Sequence, residues 1–189
     1  MLSPTLSKAT KLDDTTTLVK QTQNGDRRAF SELVRRYQTT VYRSCYRILG
    51  NVEDAKDASQ ETFIRAYTKL DTFQGRSTFK TWLVRVAVNV GLNKLTSMQK
   101  HSHLDIEFVT QPVASTEAPE AELIRAEAAS QVHKALQLVR PDHRAAIVLR
   151  ELEGLTYQET AEALGVSEGT AKSWVHRGRK QMKRILIAA

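Results

Sequence analysis

Apolar residues recur every three or four positions along most of the chain, and no run alternates with the period of two that marks a half-buried strand. The pattern predicts an all-α fold. Helices are expected at Thr17 to Gln23, Arg28 to Leu49, Val52 to Leu70 and Thr78 to Gln99. They are separated by turn signals at Asn24-Gly25-Asp26, Gly50-Asn51 and Gln74-Gly75-Arg76-Ser77. Residues 1–14 are polar, and a flexible terminus is expected there. The stripe vanishes again from Leu104 to Glu122, which holds Pro112, Pro119, five acids and no basic residue. That composition reads as a flexible acidic linker, drawn at 101–122. Periodicity resumes from Leu123 to Val139, breaks at Arg140-Pro141-Asp142 and continues from His143 to Glu153. Pro141 suits the first turn of the helix it opens. Two small helical domains follow, at 15–100 and 123–189.

The stretch Leu155 to Arg177 has the local chemistry of a helix-turn-helix. Thr156 and Glu159 form a capping box, Gly165 supplies a left-handed helix end, and Val166 is expected to follow as a buried plug. Ser167 caps the next helix and Glu168 complements its positive end. On that helix Ala171, Trp174, Val175, Gly178, Met182 and Ile185 share one side. Lys172, Ser173, His176, Arg177, Arg179, Lys180, Lys183 and Arg184 take the other, and no acid follows Glu168. A basic helix alone is often just a solvated face. Behind a capped helix and a glycine turn, it points to the major groove of duplex DNA.

Charge fits this reading without deciding it. With 28 Lys and Arg against 21 Asp and Glu, the net charge of +7 favours a polyanion or an acidic protein surface as partner. The single Cys45 rules out an intramolecular disulfide and a multi-cysteine metal site, and its apolar surroundings point to packing. No apolar run is long enough to cross a bilayer, and the first residues lack a signal-peptide core. A cytoplasmic protein without membrane insertion, cofactor, metal or catalytic residue is expected.

Two constellations mark the first domain. Along Val52 to Leu70, Ala55, Ala58, Ser59, Thr62, Phe63, Ala66 and Leu70 share the core-facing side. Asp54, Asp57, Gln60, Glu61 and Ile64 share the other. An acidic strip with an apolar residue in it, in a basic protein, can dock a basic partner, although composition alone favours a solvated face. From Asp71 to Leu95, aromatic, basic and amide side chains mix. Phe79, Trp82, Leu83, Val86 and Val90 form the inward stripe, and Trp82 reads as core rather than as a base-stacking ring. Arg85, Asn89 and Asn93 recur every four residues and line up. Amides beside a Gly-bearing loop can hydrogen-bond an unstacked base. Gly91 lowers helix stability there by about 1 kcal/mol relative to Ala.

Taken in order, the strings Asp54 to Phe63, Phe73 to Asn89 and Leu149 through the helix-turn-helix resemble bacterial RNA polymerase sigma factors of the extracytoplasmic-function (ECF) group, over roughly Leu18 to Ile185. The resemblance implies a non-catalytic specificity subunit, with sigma region 2 at 15–100 and region 4 at 123–189. It implies that Asp54, Asp57, Gln60, Glu61 and Ile64 dock on a coiled coil of the polymerase largest-subunit clamp. It assigns Gln74, Gly75, Arg76, Ser77, Thr78 and Asn89 to a pocket for a flipped −10 base, with Arg85 and Asn93 nearby. It assigns Lys172, Ser173, His176 and Arg177 to the −35 element, with Arg179 on phosphate. An anti-sigma protein is a further implied partner. His176 and Trp174 depart from the family pattern, so base preference at −35 does not carry over.

Two other classes account for less of the chain. A stand-alone helix-turn-helix regulator needs a sensing cavity or a two-fold interface to set half-site spacing, and leaves the acidic strip unused. A DNA-acting enzyme such as a recombinase needs clustered nucleophilic or metal-binding residues, and the sequence displays none.

Overall fold

The computed structural model describes residues 4–101 and 120–188, with side chains over 14–98 and 127–188. Most of the acidic linker expected at 101–122 therefore lies outside the described residues. Among the described residues eight α-helices run in the order α1 Pro4–Gln23, α2 Arg27–Leu49, α3 Val52–Lys69, α4 Phe79–His101, α5 Glu120–Gln137, α6 Pro141–Ile147, α7 Tyr157–Leu164 and α8 Glu168–Ala188. A 3-10 turn at Leu70–Thr72 and a π turn at Val148–Leu152 follow α3 and α6. Among the described residues there is no strand.

α1 to α4 pack as one bundle. Asp26 caps α2 by accepting from the amides of Arg28 and Ala29 at 2.8 and 3.3 Å. Gly50 closes the same helix in the left-handed region at φ 85°. Asn51 caps α3 by accepting from the Asp54 amide at 2.7 Å. Ala55, Ala58 and Ala66 are buried and bring α3 close to the Leu33, Val41, Cys45 and Leu83 layer. A Cβ at Gly91 would lie 2.9 Å from Cγ2 of Ile48, so the crossing of α2 and α4 requires the glycine that weakens α4.

Cys45 sits inside this layer, and burial pushes its thiol up to about 11. At pH 8 about one molecule in a thousand would carry the thiolate. Alkylation of native protein should therefore run at least about a hundredfold slower than in denaturant. Equal rates would show that the α2 to α4 bundle opens freely.

α6, α7 and α8 form the second unit. α8 presses so closely on α6 that a Cβ at Gly178 would lie 2.5 Å from Cδ1 of Ile147 and 3.1 Å from the His143 carbonyl. Leu136, Val139, Val148, Leu149 and Leu155 fill its core, with Met182 and Ile185 packed alongside.

The same core also takes in Ile48 from α2 and Val84 and Val88 from α4, so the two helical units share an apolar interface. Arg144, 4% exposed, stitches it together. Its guanidinium donates to the carbonyls of Ile48 at 2.5 Å and Val139 at 3.1 Å, to Oε1 of Gln137 at 2.6 Å, and to the Gln137 carbonyl. Gln137 in turn donates to the Arg47 carbonyl at 3.0 Å. The rings of Tyr46 and His133 stack across the same seam at 4.2 Å.

Three elements differ from the periodicity. α1 begins at Pro4 rather than Thr17, within the terminus expected to be loose, because proline at a helix start loses no hydrogen bond. α5 begins at Glu120, inside the expected linker. The helix expected to run from His143 to Glu153 ends as α6 at Ile147 and widens into the π turn, where the Glu153 amide reaches the Val148 carbonyl at 3.0 Å.

Candidate nucleic-acid interface

The turn before α8 is built as its sequence dictates. The Glu159 amide donates to Oγ1 of Thr156 at 3.1 Å, and the Thr156 amide donates back to the Glu159 carboxylate at 2.9 Å. Gly165 adopts φ 66°, and the Val166 amide reaches the Ala161 carbonyl at 3.0 Å. Val166 is half-buried, not the fully buried plug its position suggested. Ser167 accepts from the Thr170 amide at 3.1 Å and caps α8.

Ala171, Val175 and Gly178 are the buried face of α8, so its opposite face is fixed. Lys172, His176, Arg177 and Arg179 are exposed on it and Ser173 is half-buried. Two of these cations are engaged within the protein. Lys172 meets Glu168 at 2.7 Å and Arg179 meets Glu151 at 2.6 Å. Such exposed pairs are worth at most about 1 kcal/mol, so a phosphate can take either cation over. Tyr157, between Arg150 at 4.7 Å and Lys172 at 5.7 Å, braces the start of this face and carried no sequence signal of its own.

α3 turns Asp57, Gln60, Glu61 and Ile64 outward, with Asp54 half-buried beside them. Ile64 is 66% exposed, and Tyr67, one turn on, widens the apolar part of the strip. Lys94 of α4 reaches Asp54 at 2.8 Å and Asp57 at 3.2 Å. Burial pushes the Asp54 carboxyl up, and hydrogen bonds from Lys94 and Asn51 outweigh it and hold the group below its ordinary value. Asp54 therefore stays anionic at neutral pH.

The loop between α3 and α4 borders a cavity of about 640 Å³. Thr72, Phe73, Gln74, Arg76, Ser77, Trp82 and Arg85 line it from the first unit, and Gln158, Glu159 and Glu162 of α7 line it from the second. The rings of Phe73, Phe79 and Trp82 cluster at 5.4 to 5.9 Å. Trp82 is half-buried, so it serves the packing expected of it and the cavity wall as well. Gln23 of α1 anchors the loop by donating to the carbonyls of Leu70 and Phe73 at 2.9 and 3.2 Å. Gly75 adopts φ 71°, and Thr78 caps α4 by accepting from the Thr81 amide at 3.1 Å. Of the expected base-pocket residues, Gln74, Arg76, Ser77 and Arg85 line the cavity. Gly75, Thr78, Asn89 and Asn93 are exposed outside its lining, the last two farther along α4.

A basic exposed helix behind a capped turn and a polar cavity with an aromatic wall are features of a DNA-binding protein, and a separate acidic strip lies on α3. Comparison with known proteins gives the family. Residues 33–101 match the model of Sigma-70 region 2, and residues 129–182 match that of Sigma-70, region 4. The chain is 34% identical to the ECF RNA polymerase sigma factor SigW of Bacillus subtilis, covering 89% of this chain and 94% of that one. It is 35% identical to the RNA polymerase sigma-H factor of Pseudomonas aeruginosa, over 89% of this chain and 92% of the relative. Among solved structures, CnrH in complex with the cytosolic domain of CnrY superposes with a TM-score of 0.63 at 26% identity, over 93% of this chain and 98% of that one. RpoE of Bartonella quintana, solved with the anti-sigma factor NepR, shares the fold at a TM-score of 0.66 and 24% identity, over 83% and 96% of the two chains. The chain belongs to the ECF sigma factors and is an alternative sigma factor for transcription initiation.

Proposed function

We propose that this sigma factor divides its work among the three surfaces. The strip Asp54, Asp57, Gln60, Glu61 and Ile64 docks on the basic face of a coiled coil in the largest-subunit clamp of core polymerase. Gln74 to Thr78, with Arg85, Asn89 and Asn93, opens the −10 element and holds an unstacked base. Lys172, Ser173, His176 and Arg177 read −35 base edges or adjacent phosphates, while Arg179 holds phosphate. The domain bounds follow, with region 2 over 15–100 and region 4 over 123–189.

The observation that carries this reading is the cavity, where Gln74, Arg76, Ser77 and Arg85 meet at an aromatic wall. A flipped base needs polar groups for its edge and an apolar wall for its face. The protein supplies DNA contacts and no catalytic group. It acts in the cytoplasm beside the polymerase, and none of its described helices is long and apolar enough to cross a membrane. An anti-sigma protein is the third partner; the related CnrH is bound by the cytosolic domain of CnrY, and RpoE of Bartonella quintana by the anti-sigma factor NepR.

Gln74, in the cavity wall, separates opening from duplex contact. Gln74→Ala should lower permanganate reactivity of −10 thymines about tenfold, the scale of one lost hydrogen bond to a buried partner. Footprinting at −35 should stay intact. Equal loss at both elements would remove Gln74 from the base site.

A further inference from the structure

Of the inward stripe of α8, Ala171, Val175 and Gly178 are buried, and Met182 and Ile185 pack against the second core. Trp174 is half-buried and lies outside that set. Its indole N–H meets no acceptor among the described residues, and it is not sealed from water as Nε of Arg144 and Arg150 are. A buried tryptophan normally pairs its N–H, and one with a covered apolar body and an open polar edge suits an interface.

The helix wheel places that residue. At about 100° per residue, Lys172, Ser173, His176 and Arg177 span about 140° of α8. Trp174 lies about 60° beyond Arg177 at one edge of this face, and Arg179 lies about 20° beyond Lys172 at the other. A helix with its side chains is about 10–12 Å across, and the major groove is about 12 Å wide. A helix that fills the groove turns its leading face to the base edges and its two flanks to the phosphate walls. Arg179 and Trp174 then meet opposite walls.

The two flanks differ in chemistry. Arg179 brings a cation, which displaces counterions from the duplex. Trp174 brings a neutral donor and an apolar ring, and a DNA backbone offers an acceptor oxygen beside the C–H face of a sugar. Such a contact carries no base information and releases no counterion, yet it fixes the register of the helix.

We propose that Trp174 grips the DNA backbone on the wall of the −35 major groove opposite Arg179. Its N–H donates to a phosphate oxygen, its ring rests on the adjacent deoxyribose, and the contact sets the register in which Ser173 and Arg177 meet the bases. This rests on α8 being the −35 reader.

The test uses holoenzyme made from the full chain and core polymerase, with a fluorescein-labelled promoter fragment that this holoenzyme transcribes. Affinity is read by anisotropy between about 50 and 200 mM KCl. W174F keeps a ring and loses the N–H, and should bind about tenfold more weakly, the scale of one hydrogen bond to a charged acceptor. Its slope of log affinity against log salt should match that of the unaltered protein, whereas R179A should flatten the slope by about 0.9. Among −35 phosphates replaced singly by methylphosphonate, one should weaken the unaltered protein while costing W174F less than about twofold. The thermal midpoint of W174F should lie within about 2 °C of the unaltered value. The proposal is overturned if W174F binds as tightly as the unaltered protein, if it flattens the salt slope as R179A does, or if no methylphosphonate loses its effect in W174F. A midpoint lowered by more than about 5 °C would also overturn it, by making the ring a packing residue. Failure of the −35 reading is distinguishable, because R177A and R179A would then leave promoter affinity unchanged as well.

Discussion

Arg144→Ala should lower the thermal midpoint by about 6–12 °C, the shift expected from losing about 3 kcal/mol in a chain of this size. Arg144 has no carboxylate partner among its hydrogen bonds. It donates instead to carbonyls at the ends of α2 and α5, from Ile48, Gln137 and Val139, and to the Gln137 side chain. Those carbonyls lie at the negative ends of helix dipoles, where a cation is favoured. Burial lowers its pKa to about 10, which still leaves it charged at neutral pH. Truncation strands these acceptors in a seam closed to water, and each buried group left unpaired costs about 1–3 kcal/mol. Arg144→Lys, which keeps charge but offers no fork, should fall between the two proteins. A calorimetric shift under about 2 °C for the alanine variant would mean that the seam contributes little to the native state.

Asp57→Arg should weaken core polymerase binding at least tenfold while moving the thermal midpoint by less than about 2 °C. The asymmetry follows from where the charge sits. Asp57 is 73% exposed at its side chain, and its contact with Lys94 at 3.2 Å is a surface pair worth at most about 1 kcal/mol. Reversing it would set a second cation beside Lys94, facing the basic partner. Like charges brought together in an interface cost several kcal/mol. Titration of labelled variant against core enzyme gives the affinity. An unchanged value would remove α3 from the interface, and a collapse in stability would show Asp57 to be structural.

Local chemistry made most of this fold legible. Asp26, Gly50, Asn51, Thr156, Gly165 and Ser167 each cap or end a helix where their residue type predicts, and the alanine stripe of α3 faces the core. What stayed hidden was the meeting of the two units. Ile48, Val84 and Val88 look like ordinary members of their helical stripes, and only packing shows that they face the second unit. Glu159 announced itself as a capping residue, and nothing in a single helix reveals that the same carboxylate approaches Arg85. The four-residue recurrence of Arg85, Asn89 and Asn93 identified a common face of α4. It could not say that the loop and α7 enclose only Arg85. Gly91 likewise appeared as a weakness until Ile48 was found against it.

The tether between the two units also bears on how binding to promoter arises. One small domain offers few contacts to DNA, and two tethered grips gain affinity only when geometry lets both engage. Polymerase supplies that geometry, so strong sequence-specific binding should be a property of the assembled enzyme. Promoter-specific runoff transcription, with core polymerase from the protein's own bacterium and a library of genomic fragments, tests this most directly. Discrete transcripts from a limited set of fragments should appear only when the chain is added, while the chain alone binds those fragments weakly. Absence of any such transcript, together with tight binding of the free chain to a duplex operator, would contradict the account.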